Sequence, residues 1–340
     1  MYYDAPVIVN DFLSYMETIQ GKSINTINEY YYDLRLFFRF IKVHKNLVDK
    51  NIDFEKIDIN DIDIEKIREI TLSDLYAFMS YISRERNNKT NTRARKVASV
   101  KAFFKYLTTK ARLLENNPAI ELEPPKPLKR LPKYLNIEES KKLLSSIQGE
   151  HRERDYAIIT LFLNCGLRLS ELVGININRI RGDTLTVIGK GNKERTIYLN
   201  NACRKAIAAY MRVRPVDGVK DKNALFLSER KQRISNKTVQ YIVKKYIKAS
   251  GLDPERYSTH KLRHTAATLM YKHGNVDIRA LKEILGHESI ATTQIYTHVD
   301  NQQLREAMES NPLSDIETAN DIDDNIKNKK LKKEITDSEE

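Results

Sequence analysis

The sequence is poor in cysteine and has no long apolar run, and these shortages exclude several classes of protein. Only two cysteines, Cys165 and Cys203, occur in 340 residues, too few for a disulfide framework and typical of a reducing compartment. The longest apolar run, residues 157–163, falls far short of the roughly 20 residues that cross a bilayer. No N-terminal stretch combines a basic start with an apolar core, so we expect no signal peptide. Secreted, membrane-embedded and fibrous proteins are thereby excluded, and a cytoplasmic protein is expected.

Acidic residues are scarce in one short part of the chain. The whole sequence carries 58 Lys and Arg against 46 Asp and Glu, a formal net charge of +12. Residues 81–113 hold ten basic residues and a single acidic one, Glu85, whereas residues 1–80 and 311–340 are both net acidic. Positive charge concentrated in one segment indicates an acidic partner, and we expect nucleic acid.

Length and proline placement predict two domains. The chain of 340 residues exceeds the roughly 100–200 residues of one typical domain. Five of the nine prolines lie between residues 118 and 132, where they disfavour helices and central strands and predict an extended linker. We therefore expect a helical domain at 1–115, a linker at 116–135, a second domain at 136–312 and a charged, mobile tail at 313–340.

Helical signals dominate the first domain. Ser23 is expected to cap a helix that runs to about Val43, and residues 71–74 fit a capping box. A basic helix is predicted from about Asn91 to Lys110, with most of its cations outside the apolar stripe. Those cations form either a solvated face or a DNA-binding surface. The stretch 51–70, in which Ile alternates with Asp and Glu, fits a polar strand, a loop or an irregular insertion.

The second domain has a mixed pattern. Helical spacing covers 137–147 and 155–164, followed later by three short segments at 259–273, 277–285 and 289 to about 298, the first two ending at glycine. Between them, residues 185–188 and 195–199 read as two strands around a glycine-containing turn, which predicts a hairpin. The expected fold class is mainly α (α+β), with a small antiparallel sheet in the second domain.

Two short constellations place cations where an anion could bind. Arg168 follows the apolar segment 157–163, where an arginine needs a partner for its charge. An ion pair with Glu171 or Asp155 is the simpler explanation for its position, and the phosphate of a ligand is the alternative. Lys190 lies in the hairpin turn, which lacks the glycine-lysine pattern of a nucleotide-binding P-loop. The sequence does not decide whether Lys190 is only solvated at the tip of the turn or contacts DNA.

Two further constellations contain histidine. His260 and His264 are one helical turn apart, but Lys261 stands where zinc proteases carry Glu, so we assign no metal site. Arg263 and the start of a helix make this segment better suited to a phosphate. His287 is followed nine residues later by Tyr296. Most tyrosines are ordinary core or surface residues, but a tyrosine can attack phosphorus when a base removes its proton and cations neutralise the phosphate.

Taken in order, Arg168, Lys190, His260-x-x-Arg263, His287 and Tyr296 resemble the active-site set of the tyrosine recombinases, the phage integrase family. The surrounding segments GLRLSEL, GKGNKER, HKLRHTAAT and LGH are most similar to the bacterial XerC/XerD branch, and the likeness covers about residues 8–310. The resemblance implies that a helical core-binding domain and a mostly helical catalytic domain form a C-shaped clamp around DNA. The stretch 51–70 and the tail look longer than in compact members of that branch.

The resemblance also implies a role for each residue of the set. Tyr296 would attack the scissile phosphate to give a 3′-phosphotyrosyl link, and Lys190 would protonate the leaving 5′ oxygen. Arg168 and Arg263 would hold the non-bridging oxygens. The supporting roles are proton transfer from Tyr296 (His260), support of the phosphate (His287) and orientation of Arg168 (Glu171). One ester replaces another, so no metal, ATP or other cofactor is expected.

The partners implied are duplex DNA and other recombinase protomers. Four cations of the basic helix are expected to contact DNA: Arg93, Arg95, Lys96 and Lys101. Strand exchange would pass through a Holliday junction within a homo- or hetero-tetramer, and residues 301–311 would dock as a helix onto a neighbouring protomer. The protein would be cytoplasmic and associated with the nucleoid.

Three functions compete within this resemblance. A site-specific recombinase is favoured, because the Xer-like segments argue against a type IB topoisomerase. A non-enzymatic DNA-binding protein on the same fold would not need an intact nucleophile and both arginines. Resolution of chromosome dimers is preferred to integration or excision of a mobile element, since no extra N-terminal domain is evident. The DNA site and the need for a partner recombinase or accessory protein stay open.

Overall fold

The computed structural model describes residues 5–49, 51–125, 133–189, 191, 193–274, 276–287, 289–294 and 296. These residues form two compact units, one ending at residue 125 and the other beginning at residue 133. Within the described residues, no helix has both the length and the apolar composition needed to span a membrane. The predicted tail at 313–340 and the predicted docking helix at 301–311 lie outside the described residues.

The first unit is helical. Its described helices are α1 (Val7–Thr18), α2 (Ile24–His44), α3 (Ile64–Arg68), α4 (Leu72–Arg84) and α5 (Thr90–Thr109). Fully buried phenylalanines from α1, α2, α4 and α5 meet in one core: Phe12, Phe37, Phe38, Phe78, Phe103 and Phe104. Their rings make mostly edge-on and tilted contacts, the arrangements that aromatic pairs prefer.

The start signals of two helices are confirmed. The Ser23 hydroxyl accepts a hydrogen bond from the backbone N–H of Thr26 at the start of α2. Thr71 and Asp74 form the reciprocal capping box at the start of α4. Each cap satisfies backbone N–H groups that the first turn of a helix leaves without partners.

The isoleucine-rich stretch 51–70 is an irregular, packed segment. A 3₁₀ turn at Phe54–Lys56 and the short helix α3 are joined by an irregular connection with a turn at residues 60–61. The side chains that turn inward join the core of the first unit: Ile59, Ile62, Ile67 and Ile70. Lys42 of α2 donates hydrogen bonds to the Asp58 carbonyl and the Asp61 carboxylate. Of the three structures left open by the sequence, an irregular insertion is the one observed.

The described ends of the predicted linker are attached to the two cores. Ala119 and Leu122 are buried with the phenylalanines of the first unit. Leu135 is buried in the core of the second unit, and its N–H donates to the hydroxyl of Thr265. Between them, residues 126–132 lie outside the described chain.

The second unit combines helices with one small sheet. Its described helices are α6 (Ile137–Ser145), α7 (Arg152–Cys165), α8 (Leu169–Val173), α9 (Asn201–Val213), α10 (Asn236–Ala249), α11 (Thr259–His273) and α12 (Ile278–Leu285). Ten of the 14 residues of α7 are buried, so this helix lies in the centre of the core. The predicted bounds of α11 are confirmed, and α12 differs from its prediction by one residue.

The predicted hairpin is confirmed and gains a third strand. Strands β1 (Ile180–Arg181), β2 (Thr184–Ile188) and β3 (Glu194–Tyr198) are antiparallel and lie in chain order. Leu185 pairs with Ile197 and Val187 with Arg195. The alternation buries Leu185, Val187 and Ile197 and therefore places Arg195 on the inward face of β3. Strand β1 has two residues, too few for a periodic signal.

The segment predicted as a short helix from residue 289 to about 298 contains no α-helix in its described part. The chain makes a 3₁₀ turn at Ile290–Thr292 instead. Ile290, Thr292 and Thr293 are branched at Cβ, which lowers their preference for the α-helix. Thr293 also uses its hydroxyl in a hydrogen bond with His287, and the turn leads directly to Tyr296.

Candidate active site

One carboxylate, that of Glu171, organises three arginines in the second unit. Its side chain is fully buried. Its Oε1 lies 2.8 Å from Arg168 Nη1, and its Oε2 lies 2.8 Å from Arg195 Nη2 and 3.9 Å from Arg263 Nη1. Oε2 also accepts the backbone N–H of Arg168 at 2.8 Å. Burial would raise the pKa of this carboxyl, but Arg195 and the hydrogen bonds from Arg168 outweigh it and hold the pKa below its usual value.

Arg263 joins the ends of two helices. Its Nη1 donates to the carbonyl of Gly166 at 2.5 Å, and its Nη2 donates to the carbonyl of Leu285 at 2.6 Å. These carbonyls lie at the C-terminal ends of α7 and α12, where acceptors lack helical partners and the helix dipole favours a cation. Burial, followed by the charge of Arg168, lowers the pKa of Arg263 to about 10, so it remains a cation at neutral pH.

Two glycines allow this close approach of helix ends. Gly166 and Gly286 have φ values of 57° and 62°, in the left-handed region that favours glycine. A Cβ atom on Gly166 would lie 2.8 Å from Leu285 Cδ2, and one on Gly286 would lie 2.7 Å from Arg195 Cδ. The carbonyl of Gly286 accepts a hydrogen bond from Arg168 Nη2 at 2.7 Å. The ends of α7 and α12 thereby bring Arg168 and Arg263 together.

A cavity of about 890 Å³ opens beside these arginines. Its described lining includes Arg168, Arg195, Arg263, His260, His264, His287 and Tyr296. Glu171 and its three arginines carry one negative and three positive charges, so positive charge is in surplus. Guanidinium groups beside a cavity suit a phosphate, because each presents several N–H donors in a planar fork.

Tyr296 forms one wall of this cavity. It is 1% exposed and packs against Ala267, Leu281 and Leu285. Its Oη lies 2.8 Å from Nδ1 of His264. Burial, partly offset by Arg263, raises the pKa of Tyr296 to about 12. The phenol is therefore protonated at neutral pH and needs a base before it can act as a nucleophile.

The two histidines of α11 touch each other. Nε2 of His260 and Nε2 of His264 are 3.1 Å apart, as their spacing of one helical turn requires. Burial, then the neighbouring His260 and Lys261, lower the pKa of His264 to about 4. Partial desolvation by neighbouring groups, then Lys261, also lowers the pKa of His260, although this residue is more exposed to solvent than His264. Both rings are therefore neutral at pH 7.

His287 lies beside the arginines, just after Gly286. Its Nδ1 is 2.9 Å from the hydroxyl of Thr293. Burial, followed by Arg263 and Arg168, lowers the pKa of His287 to about 4. The structure thus brings five residues predicted for the site to one cavity, namely Arg168, His260, Arg263, His287 and Tyr296, with Glu171 buried behind them.

The sixth predicted member of the set, Lys190, lies outside the described residues. Its neighbour Gly189 is described and lines the cavity. A Cβ atom on Gly189 would lie 3.5 Å from Oε1 of Glu171. The hairpin turn therefore begins directly beside the Glu171 cluster.

Two site residues are absent from the set predicted from sequence. The sequence presented His264 as a rejected metal ligand and as part of a helix start suited to a phosphate, without a catalytic role, yet it is the residue that contacts the Tyr296 oxygen. Arg195 binds Glu171 and also donates to the Ile284 carbonyl. A signal for Arg195 was present, because strand alternation puts this charged residue on the buried face of β3.

The cations predicted to bind DNA on α5 all have partners within the first unit. Lys96 is buried, and its Nζ lies 2.9 Å from the buried carboxylate of Asp33, which corrects its predicted exposure. Arg95 lies 2.6 Å from Asp33. The other two donate to uncharged oxygens: Arg93 to the Ser83 hydroxyl, and Lys101 to the carbonyls of Ile120 and Leu122. Asp33 is 63 residues from Lys96, so no local pattern indicates their contact.

Comparison with known proteins places these residues in a family. The phage integrase family model matches residues 133–303, and the model of a phage integrase N-terminal SAM-like domain matches residues 8–111. The tyrosine recombinase XerC of Caldanaerobacter subterraneus subsp. tengcongensis is 60% identical over 309 residues, which cover 91% of this chain and 88% of that protein. XerC of Thermodesulfovibrio yellowstonii is 34% identical over 316 residues, 90% of this chain and 96% of that protein.

A solved structure shares the fold. The XerH site-specific recombinase, bound to a palindromic difH substrate in a post-cleavage complex, aligns with a TM-score of 0.66 at 22% identity. The alignment covers 89% of this chain and 95% of that one. At this level of identity the likeness concerns the fold alone.

Proposed function

The chain belongs to the phage integrase family, in the XerC/XerD branch of the tyrosine recombinases, and we propose that Tyr296 is the nucleophile with which this site-specific recombinase opens and rejoins DNA strands. One observation carries the proposal. The Tyr296 oxygen has a histidine nitrogen 2.8 Å away and lines the same cavity as Arg168 and Arg263. A nucleophile, a base and cations for a phosphate are therefore present at one place.

The arginines supply the electrostatic part of the mechanism. The two hydrogen bonds that Arg263 makes to carbonyls use two of its five N–H groups, which leaves donors for the non-bridging oxygens of a phosphodiester. Arg168 lies on the same cavity with one Nη on Glu171 and the other on Gly286. Because these contacts fix both guanidiniums before substrate arrives, they require little rearrangement as negative charge develops on the phosphate.

The proposed reaction exchanges one phosphoester for another. A bond forms between Tyr296 Oη and phosphorus, and the bond between phosphorus and the 5′ oxygen breaks, which leaves a 3′-phosphotyrosyl link. Lys190 gives a proton to the 5′ oxygen, and the phenol proton passes to the histidines of α11. His287 supports the phosphate, and Glu171 orients Arg168. Attack by a 5′-hydroxyl on the phosphotyrosyl link reverses the sequence and rejoins a strand.

DNA and other protomers are the proposed partners. The XerH recombinase is bound to its difH substrate in the solved complex, and we assign duplex DNA to this chain as well. Within α5, the candidates for DNA contact are reduced to Arg93, Arg95 and Lys101, because Lys96 is buried against Asp33. We also assign core binding to residues 1–115 and catalysis to residues 136–312, joined by the linker at 116–135. Strand exchange through a Holliday junction would require a tetramer, in which residues 301–311 of each protomer dock onto a neighbouring protomer.

Resolution of chromosome dimers is the role we assign to this reaction. The two curated relatives above are named XerC, and they cover most of this chain. Sequencing of DNA cross-linked to the protein in cells would identify the bound locus. A single chromosomal site is expected, whereas the ends of a mobile element would overturn this role and leave the chemistry unaffected.

The nucleophile is tested by covalent attachment to DNA. The full-length chain is incubated with nicked duplexes that carry a site selected from a random pool, and complexes that resist detergent are counted. The wild type should form such complexes, whereas Tyr296→Phe, which lacks the attacking oxygen, should form none. Tyr246→Phe, which removes another buried tyrosine hydroxyl, is the matched control and should retain attachment. An adduct with Tyr296→Phe would overturn the assignment.

A further inference from the structure

We propose that His264 takes the proton from Tyr296 while passing its own proton to His260, so that the two histidines of α11 form a relay from the nucleophile to the exposed side of the cavity. The family resemblance implies proton transfer by His260 alone and gives His264 no role. This inference rests on the proposed function, since it names the base that the Tyr296 nucleophile requires.

The contacts run in series. Tyr296 Oη lies 2.8 Å from Nδ1 of His264, and Nε2 of His264 lies 3.1 Å from Nε2 of His260. Both ring nitrogens of His264 are therefore engaged, one on each side. The hydrogen-bond contact of the His260 ring is with His264, not with the tyrosine. A proton that leaves Tyr296 along these contacts reaches His264 first.

Only one arrangement of protons lets the phenol donate. A neutral imidazole carries a single N–H, so if Nδ1 of His264 accepts the Tyr296 O–H, its Nε2 must carry hydrogen. That Nε2–H then donates to Nε2 of His260, which must carry its own hydrogen on Nδ1. The burial of His264 supports its neutral form by lowering its pKa to about 4. Each hydrogen bond in this series therefore donates away from Tyr296, from its phenol to His264 and from His264 to His260.

The proton balance of the step follows from this arrangement. As the bond between Tyr296 Oη and phosphorus forms, the phenol proton moves to Nδ1 of His264, and the Nε2 proton of His264 moves to Nε2 of His260. His264 ends neutral with its hydrogen on the other nitrogen, and His260 ends as a cation. The 5′ oxygen, whose bond to phosphorus breaks, takes its proton from Lys190. Rejoining the strand runs each transfer backwards.

The surroundings explain why a relay is needed. The groups that act on His264 are His260, Lys261 and Arg263 from its own helix and His287 from the segment after α12, with Tyr296 as its hydrogen-bond partner. All four of these basic groups can carry positive charge next to the ring, and the ring is partly buried. His264 is therefore a poor place for a proton to stay, whereas His260 is exposed and can release it.

The relay is tested by the rate of covalent attachment in a single turnover. Full-length wild type, His264→Asn and His264→Ala are mixed with the nicked duplex selected above. Asparagine can still hydrogen-bond to the phenol but cannot pass a proton on. The affinity of both variants for the duplex should stay within twofold of that of the wild type. Their rate of covalent attachment should fall at least about 100-fold, as expected for loss of a general base. Added imidazole should partly restore His264→Ala.

A sulfur-substituted duplex distinguishes proton removal from the nucleophile from proton donation to the leaving group. When sulfur replaces the bridging 5′ oxygen, the leaving group departs without a proton. This duplex should therefore restore attachment by Lys190→Ala and leave His264→Asn slow. Equal rescue of both variants would place His264 on the leaving-group side and overturn the relay.

The remaining outcomes are also decisive. Attachment by His264→Asn at the wild-type rate would show that the histidine only holds the tyrosine ring, and the relay would be wrong. His260→Ala interrupts the second contact and leaves the first intact, so it should also be slow and resist rescue by sulfur. An adduct formed by Tyr296→Phe would instead overturn the proposed function, whatever the histidine variants do.

Discussion

Asp33 in the first unit and Glu171 in the second are both buried among cations, and their two clusters differ in charge balance. In the first unit, Asp33 is 0% exposed and lies within 3 Å of both Lys96 and Arg95. Glu29 adds a second carboxylate 2.6 Å from Arg95, so two acids face two bases. In the second unit, Glu171 is the one carboxylate among the described residues that pairs with the three arginines, and a cavity opens beside them.

Ion pairs of similar geometry have different roles in the two clusters. The Asp33 cluster joins α2 to α5 and neutralises two of the cations counted in the basic segment 81–113. The Glu171 cluster joins α8, β3 and α11 and leaves positive charge unneutralised at a cavity. A surplus of cations around a buried carboxylate favours an incoming anion, whereas a balanced cluster mainly contributes to packing and to specificity of the fold.

The largest effect is expected from Asp33→Asn, which breaks the balanced cluster. It leaves the buried ammonium of Lys96 without an anion, and the loss should be about 3–5 kcal/mol in the free energy of unfolding. Urea unfolding of the full chain, followed by circular dichroism, measures it. The control is Glu29→Gln at the exposed edge of the same cluster, which should cost about 0–1 kcal/mol. Equal losses in the two variants would show that burial does not distinguish these carboxylates.

A smaller effect, in activity, is expected from Arg263→Lys in the unbalanced cluster. Lysine keeps a charge but cannot hold two carbonyls and a phosphate together, so single-turnover attachment to DNA should fall about 10²–10³-fold. Arg233→Lys is a matched control, because Arg233 also donates to several acceptors, including Asp221 and Asn176, and does not line the cavity. Its rate should stay within twofold of wild type. A similar fall in both variants would indicate general damage to the unit.

The smallest effect is a pH dependence confined to the cavity. The pKa values of His264 and His287 are lowered to about 4 from an ordinary 6.5. Between these values the unfolded chain binds protons that the folded chain does not, so stability falls as pH drops from 6.5 to 4. Replacing both histidines by Gln should remove on the order of 1 kcal/mol of this loss, after allowance for solvent screening. Parallel urea-midpoint curves for the two proteins would contradict the assignment.

Local signals predicted the parts of the fold that neighbouring residues determine. Ser23 and Thr71 cap the helices that follow them, and Gly286 ends α12 in the left-handed conformation. The hairpin followed from two short strands around a glycine-containing turn. Each of these depends on residues within one turn of a helix or across one tight loop, so the sequence alone contains the information.

Contacts between distant residues could not be predicted in the same way. Lys96 and Asp33 are 63 residues apart, and His264 and Tyr296 are 32 apart. Whether a cation faces solvent or a carboxylate depends on which helix packs beside it, which periodicity does not specify. The sequence therefore indicated which types of side chain the site contains. The order in which they touch, from Tyr296 through His264 to His260, required the structure.

The burial of Tyr296 also has a consequence for chemical modification. The chain contains 18 tyrosines, and several are widely exposed, among them Tyr198 at 77% and Tyr241 at 70%, whereas Tyr296 is 1% exposed. Nitrating, iodinating or oxidising agents therefore meet the surface phenols first. The phenol of Tyr296, the proposed nucleophile, is therefore sheltered from these reagents, so labelling of this protein reports on its surface and spares the Tyr296 oxygen.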